Sequence, residues 1–148
     1  TPEGNYFLTP NPDMTLTVPA ATENVITFGG YDNVTNAFYP KSGRGFTREN
    51  RIKPDMTAPA VNVYGPGISG GYTRRTGTSV ACALGAGACA QILQWGIVED
   101  NESYMKNNYI KNYLIRGAER NRDIRYPSEQ WGYGTINVFD SFLILTRT

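Results

Sequence analysis

Gly77-Thr78-Ser79-Val80-Ala81 joins a glycine-rich loop to a run of residues, 80 to 95, that is apolar nearly all round. Such a run predicts a helix buried inside the molecule, with its Ala and Gly residues permitting close packing. Ser79 would then project from a sharp turn at the helix N-terminus. Backbone N–H groups there lack acceptors and partial positive charge gathers. Two roles fit a serine in that place. It can be a simple N-cap, a common use of Ser before a helix, or a nucleophile whose developing oxyanion is stabilised by the same free N–H groups. The pentapeptide alone leaves both open.

Working outward, Ala60–Tyr64 reads as a strand, Gly65-Pro66-Gly67 turns the chain, and Ile68–Arg75 reads as a hairpin-like excursion around Gly70-Gly71. Asn24–Tyr31 is a β-branched and aromatic run closed by glycines, the pattern of a strand buried on both faces of a parallel sheet. Residues 1–23 form an entry loop with turn chemistry at Thr9–Asp13. Asp32–Pro59 is a polar, punctuated connection. After the buried helix, a half-exposed helix is expected from Ser103 to Gly117, with Tyr109, Ile110, Tyr113 and Leu114 at helical spacing and Gly117 as its stop. A final helix spans Phe139–Leu145. There are no internal repeats or low-complexity tracts, so one domain or part of one is the economical reading.

Of the 148 residues, 14 are basic and 13 acidic, with no basic run, so nothing suggests nucleic acid or an anionic membrane as a partner. No stretch holds the roughly 20 uninterrupted apolar residues of a membrane span; Val80–Trp95 is interrupted by Gly85, Gly87, Gln91 and Gln94. Thr1 opens no signal peptide. With the loop-like start Thr1-Pro2-Glu3-Gly4-Asn5, it leads to the expectation that the chain begins inside a longer polypeptide. Cys82 and Cys89 lie on one helix, about 10 Å apart along its axis, too far to bridge; they are expected to be buried free thiols. Neither a metal nor a cofactor is expected. The chain has no histidine, so a hydrolase with a His base is not complete within it.

Gly77-Thr78-Ser79-Val80-Ala81 resembles the serine signature of the subtilisin-like proteases. Three further segments follow that family's order: Thr17-Val18-Pro19-Ala20 running into Asn24–Gly30, Ser42–Gly45 with Lys53-Pro54-Asp55-Met56-Thr57-Ala58-Pro59, and Gly132–Val138. The resemblance covers nearly the whole chain. It implies the C-terminal portion of a three-layer α/β fold with a mostly parallel sheet. It further implies an endopeptidase in which Ser79 is the nucleophile and its own N–H supports the oxyanion. Val18, Pro19 and Ala20 would wall the pocket for the residue before the scissile bond, and Thr76 and Val80 would flank the departing side. The triad Asp and His, and much of the sheet, would belong to a missing N-terminal part. The partners implied are that part and a polypeptide substrate, and the chain by itself would be inactive.

Gln94–Val98, Tyr113–Ala118 and Tyr126–Gly134 look most like the clostridial germination-associated branch, which implies an extracytoplasmic or spore-associated setting. Where most relatives carry a small residue, Pro or Ala, and His after the signature, this chain has Cys82, Ala83 and Leu84. That departure, with the absent His, keeps a rival reading open: a pseudoprotease acting as a binding or regulatory protein. Asn5 stands near the spacing of the family's oxyanion Asn but is read as a turn residue. Asp55 is expected to be a turn or strand-edge carboxylate, Asp123 a solvated charge and Asp140 a helix cap.

Overall fold

The computed structural model describes residues 8–147 of the chain. The elements follow the order β1 (Phe28–Asp32), β2 (Ala37–Phe38), β3 (Met56–Pro59), β4 (Val63–Pro66), β5 (Tyr72–Arg75), α1 (Thr78–Leu93), α2 (Asn107–Gly117) and α3 (Val138–Leu145). α1 continues without a break through a π-helical turn, Gln94–Val98.

β1 lies between β2, antiparallel to it, and β3, parallel to it with Phe28 opposite Met56 and Gly30 opposite Ala58. Beyond β3 the segment around Thr135 continues the pairing. Thr57 N–H donates to the Gly134 carbonyl at 2.9 Å, and Ile136 N–H donates to the Thr57 carbonyl at 2.8 Å. Side chains alternate across strands. Phe28, Met56 and Ala58 therefore face α1, while Tyr31 faces the other way onto Trp131, whose ring also meets Phe38. Met56, Ala88, Ile92, Met105, Ile110, Leu114 and Leu145 make the main core, to which all three helices contribute.

Several boundaries differ from the sequence expectation, each for a local reason. β1 starts at Phe28 rather than Asn24 because the backbone before it is bound by side chains: Lys53 Nζ donates to the Val25 carbonyl at 2.6 Å, and Thr27 N–H donates to Asp55 Oδ2 at 2.7 Å. β3 was hidden in the expected connection because its four residues follow Pro54-Asp55 and end on Pro59, yet Met56, Thr57 and Ala58 are fully buried. The strand expected at Ala60–Tyr64 is instead a bend followed by β4, with Asn62 at φ 51, a left-handed conformation that Asn tolerates. α2 starts at Asn107, not Ser103, because Asn101 and Glu102 donate to the carbonyls of Trp95 and Gly96 in the π turn.

α1 is buried along one seam, Ala81, Gly85, Ala88 and Ile92, where a Cβ on Gly85 would stand 2.2 Å from the Phe28 ring. Among the described residues its other side is open, so Cys82 is exposed and only Cys89 is half-buried. Burial, with Cys82 adding to it, raises the Cys89 thiol pKa. The thiols are free, as expected, but Cys82 is not buried, because it lies off the packed seam. By length and composition the continuous helix Thr78–Val98 is also long and apolar enough to cross a membrane, which counting uninterrupted apolar residues had missed.

Gly117 ends α2 for a reason other than a left-handed cap. α3 crosses so closely that a Cβ there would lie 2.4 Å from Ser141 Oγ and 2.5 Å from its backbone nitrogen. α3 itself is capped by Asn137, whose Oδ1 accepts from Asp140 N–H at 3.0 Å. Asp140 is thus a first-turn carboxylate and not the cap.

Asp55 stands in the bend just before β3, as a turn carboxylate would, but contrary to expectation it is fully buried. Its Oδ2 lies 2.7 Å from Lys53 Nζ, itself 1% exposed, and accepts Thr27 N–H. Its Oδ1 is matched by the Lys111 ammonium of α2 at 2.5 Å. A single carboxylate therefore balances two cations and ties the base of β1, the start of β3 and the middle of α2 together.

Two outcomes test this packing in the intact protein by denaturant unfolding. Asp55→Ala leaves a buried, unmatched ammonium and should cost about 3–5 kcal/mol, with Asp55→Asn also destabilising. Gly117→Ala, which helix propensity alone would make stabilising by about 1 kcal/mol, should instead destabilise by about 1–3 kcal/mol through the clash with Ser141. A gain in stability would contradict the close crossing.

Candidate active site

The Ser79 turn is built from both sides. Ala58, Ala60 and Ala81 form a small cluster of fully buried side chains, so that the start of α1 sits directly on the end of β3. The turn is then pinned by two bonds: Gly77 N–H donates to the Ala60 carbonyl at 2.8 Å, and Asn62 N–H donates to Thr76 Oγ1 at 2.9 Å.

The residue flanking the N-terminus of α1 is Gly77, with φ 154 and ψ 158. That backbone favours glycine, and a Cβ there would stand 3.3 Å from Ser79 Oγ. Helical residues begin at Thr78, so Ser79 is the second residue of the helix, and no side chain caps it. Ser79 is exposed, and among the described residues its Oγ makes no hydrogen bond. Of the first-turn N–H groups, Val80 donates to the Gly77 carbonyl at 3.0 Å, whereas that of Ser79 has no acceptor among the described residues. A free hydroxyl therefore stands beside a free N–H at the positive end of a 16-residue helix. This arrangement suits nucleophilic attack with oxyanion stabilisation.

Thr76 and Val80 flank Ser79 on the same turn, Thr76 exposed with its hydroxyl engaged by Asn62, and Val80 half-buried. Val18, Pro19 and Ala20 lie on a separate loop. Thr22 donates through its N–H and its hydroxyl to the Pro19 carbonyl at 2.9 and 2.8 Å, and Thr27 Oγ1 donates to the Ala20 carbonyl at 2.7 Å, fixing this loop to the base of β1. Val18 is 83% exposed. No hydrogen bond among the described residues joins this loop to the Ser79 turn. Asn5 lies outside the described residues, and Leu84 is partly exposed on the open side of α1.

Other candidate carboxylates stay away from the turn. Asp55 serves the lysine pair, Asp140 the start of α3, and Asp123 is exposed in the loop after α2. Among the described residues no three His, Cys, Asp or Glu side chains gather as metal ligands. The sequence reading missed the role of Lys53, Asp55 and Lys111 in holding the strand that leads to Ser79. The signal was Lys53-Pro54-Asp55 next to an apolar run, but Lys111 is 56 residues further on and nothing local announces it.

Comparison with known proteins agrees with this architecture. The structure superposes on the Clostridium perfringens CspB protease with a TM-score of 0.90 at 36% identity, covering 95% of this chain and 31% of that one. The mouse membrane-bound transcription factor site-1 protease is 30% identical over 138 residues, 89% of this chain and 12% of its own length. Pyrolysin of Pyrococcus furiosus is 31% identical over 125 residues, 80% of this chain and 9% of its own. The chain thus spans between about a tenth and a third of the length of these relatives. The family model for the subtilase family matches residues 3–134, a span that takes in the Ser79 turn, all five strands, α1 and α2, and on that match the chain belongs to the subtilase family.

Proposed function

We propose that the protein to which this chain belongs is a serine endopeptidase and that Ser79 is its nucleophile. The observation that carries the reading is the unused pair on the second residue of α1, a hydroxyl free of capping duty and an N–H without an acceptor. Ser79 Oγ attacks the peptide carbonyl as its proton passes to a base. The C–N bond then breaks as the base returns that proton to the leaving amine, giving an acyl-enzyme. Water, deprotonated by the same base, releases the acyl group and restores the serine. The Ser79 N–H supports the tetrahedral oxyanion in both halves.

The chain has no histidine, so the base and the carboxylate that orients it come from a segment outside these 148 residues, and this chain by itself is inactive. Thr76 and Val80 flank the leaving group. Val18, Pro19 and Ala20 wall the side of the residue before the cleaved bond. The resemblance of Gln94–Val98, Tyr113–Ala118 and Tyr126–Gly134 to the clostridial germination-associated branch is what supports a germination-associated, extracytoplasmic setting. The missing histidine and the open side of α1, with Cys82, Ala83 and Leu84 after the signature, are what favour the rival reading of an inactive binding protein.

A serine-directed phosphonate applied to the intact protein separates these readings. The expected result is one covalent adduct, mapped by peptide mass to Ser79 and abolished in Ser79→Ala. That variant should lose peptide hydrolysis by several powers of ten, a scale carried over from subtilisin itself. An intact, folded protein that takes up no phosphonate at Ser79 would make it a pseudoprotease.

A further inference from the structure

We infer that the β4–β5 hairpin is a docking platform for an acidic stretch of substrate, the residues that follow the scissile bond, and that Arg74 and Arg75 recognise it. This rests on the peptidase reading of Ser79. From Met56 to Val98 the chain contains no Asp or Glu, and its only charged residues are Arg74 and Arg75. The hairpin that feeds the nucleophile turn is therefore purely cationic. Among the described residues neither arginine forms an ion pair; Arg74 makes only a 3.3 Å bond from Nη1 to the Asn62 carbonyl, and both side chains are exposed.

The ribbon's register gives these charges a setting. Tyr64 is opposite Arg74 and Pro66 opposite Tyr72, so Tyr64, Pro66, Tyr72 and Arg74 share one face. The two tyrosine rings stack with centroids 5.2 Å apart and planes 17° from parallel, yet Tyr64 remains 65% and Tyr72 68% exposed. A flat aromatic surface ending in a guanidinium suits an extended peptide carrying a carboxylate. Arg75, on the other face, immediately precedes Thr76 and is four residues from Ser79, which limits the two Cα atoms to about 15 Å. A peptide leaving the Ser79 turn along the Thr76 side reaches the root of the ribbon, where Arg75 stands on one face and Arg74 with the tyrosine pair on the other. The positive end of α1 adds to the attraction for anionic residues. Two arginines are too few for a nucleic-acid backbone, which needs a row of cations. They suit one or two carboxylates of a polypeptide.

The test uses the intact protein and a library of internally quenched peptides in matched pairs that differ only by Asp or Glu against Asn or Gln after the cleaved bond. The acidic member should be cleaved with a kcat/KM about three- to tenfold higher at low ionic strength, the ratio approaching one in high salt, as expected for two exposed charge pairs. Arg74→Glu with Arg75→Glu should invert the ratio, and phosphonate labelling of that variant reports that it is folded. If the variant does not fold, the salt dependence of the parent decides. Equal cleavage of the pairs by a protein that labels at Ser79, or a preference indifferent to both salt and charge reversal, overturns the platform alone. Absence of both cleavage and labelling overturns the peptidase reading and the platform with it.

Discussion

A carboxylate fully removed from water is tolerated only when its charge is matched, and the described fold is organised around one such group. Asp55 draws Lys53 back onto the start of its own strand, holds the Thr27 N–H at the base of β1, and reaches Lys111 across to α2. The desolvation cost of three ionised groups is large. The gain is geometric: three segments far apart in sequence are held at one point, by hydrogen bonds of 2.7 Å from Thr27 and Lys53 and by the ion pair with Lys111. Everything downstream on β3 inherits its position from this anchor.

That inheritance can be followed atom by atom to Ser79. β3 leaves Asp55 and carries Met56, Thr57 and Ala58, all fully buried, between β1 and the Thr135 segment. Ala60, just past its end, accepts the Gly77 N–H and packs against Ala81. The position of Ser79 is therefore set by a rigid strand and a rigid helix meeting through alanines. Side chains with fewer rotamers make a better-defined joint than longer ones would.

Much of the joint could be read in the sequence, and what could not has clear causes. The Ser79 turn was legible because Gly, Thr and Ser before an apolar run have a local meaning. Even there the helix start was off by two residues, enough to change Ser79 from a possible cap into an uncapped second residue. Asp140 was misread in the same way, taken from its residue type as the cap when it is the residue whose N–H the Asn137 cap binds, and Gly117, rightly read as the stop of α2, stands there because α3 passes so close. β3 escaped notice because four residues, the last of them Pro59, carry no period. Asp55 was misjudged because its environment is made by Thr27 and Lys111, which are 28 residues before it and 56 after it.

The two bonds that pin the Ser79 turn, Gly77 N–H to the Ala60 carbonyl and Asn62 N–H to Thr76 Oγ1, have an effect beyond holding Ser79. They pinch the β4–β5 ribbon at its neck, so the chain between them is a closed loop whose interior makes few demands on the rest of the molecule. Loop-closure entropy rises only slowly with length. The ribbon is thus the part of the described fold most open to evolutionary lengthening, shortening or recolouring of its surface without disturbing the serine beside it: a tunable module on a fixed hinge point.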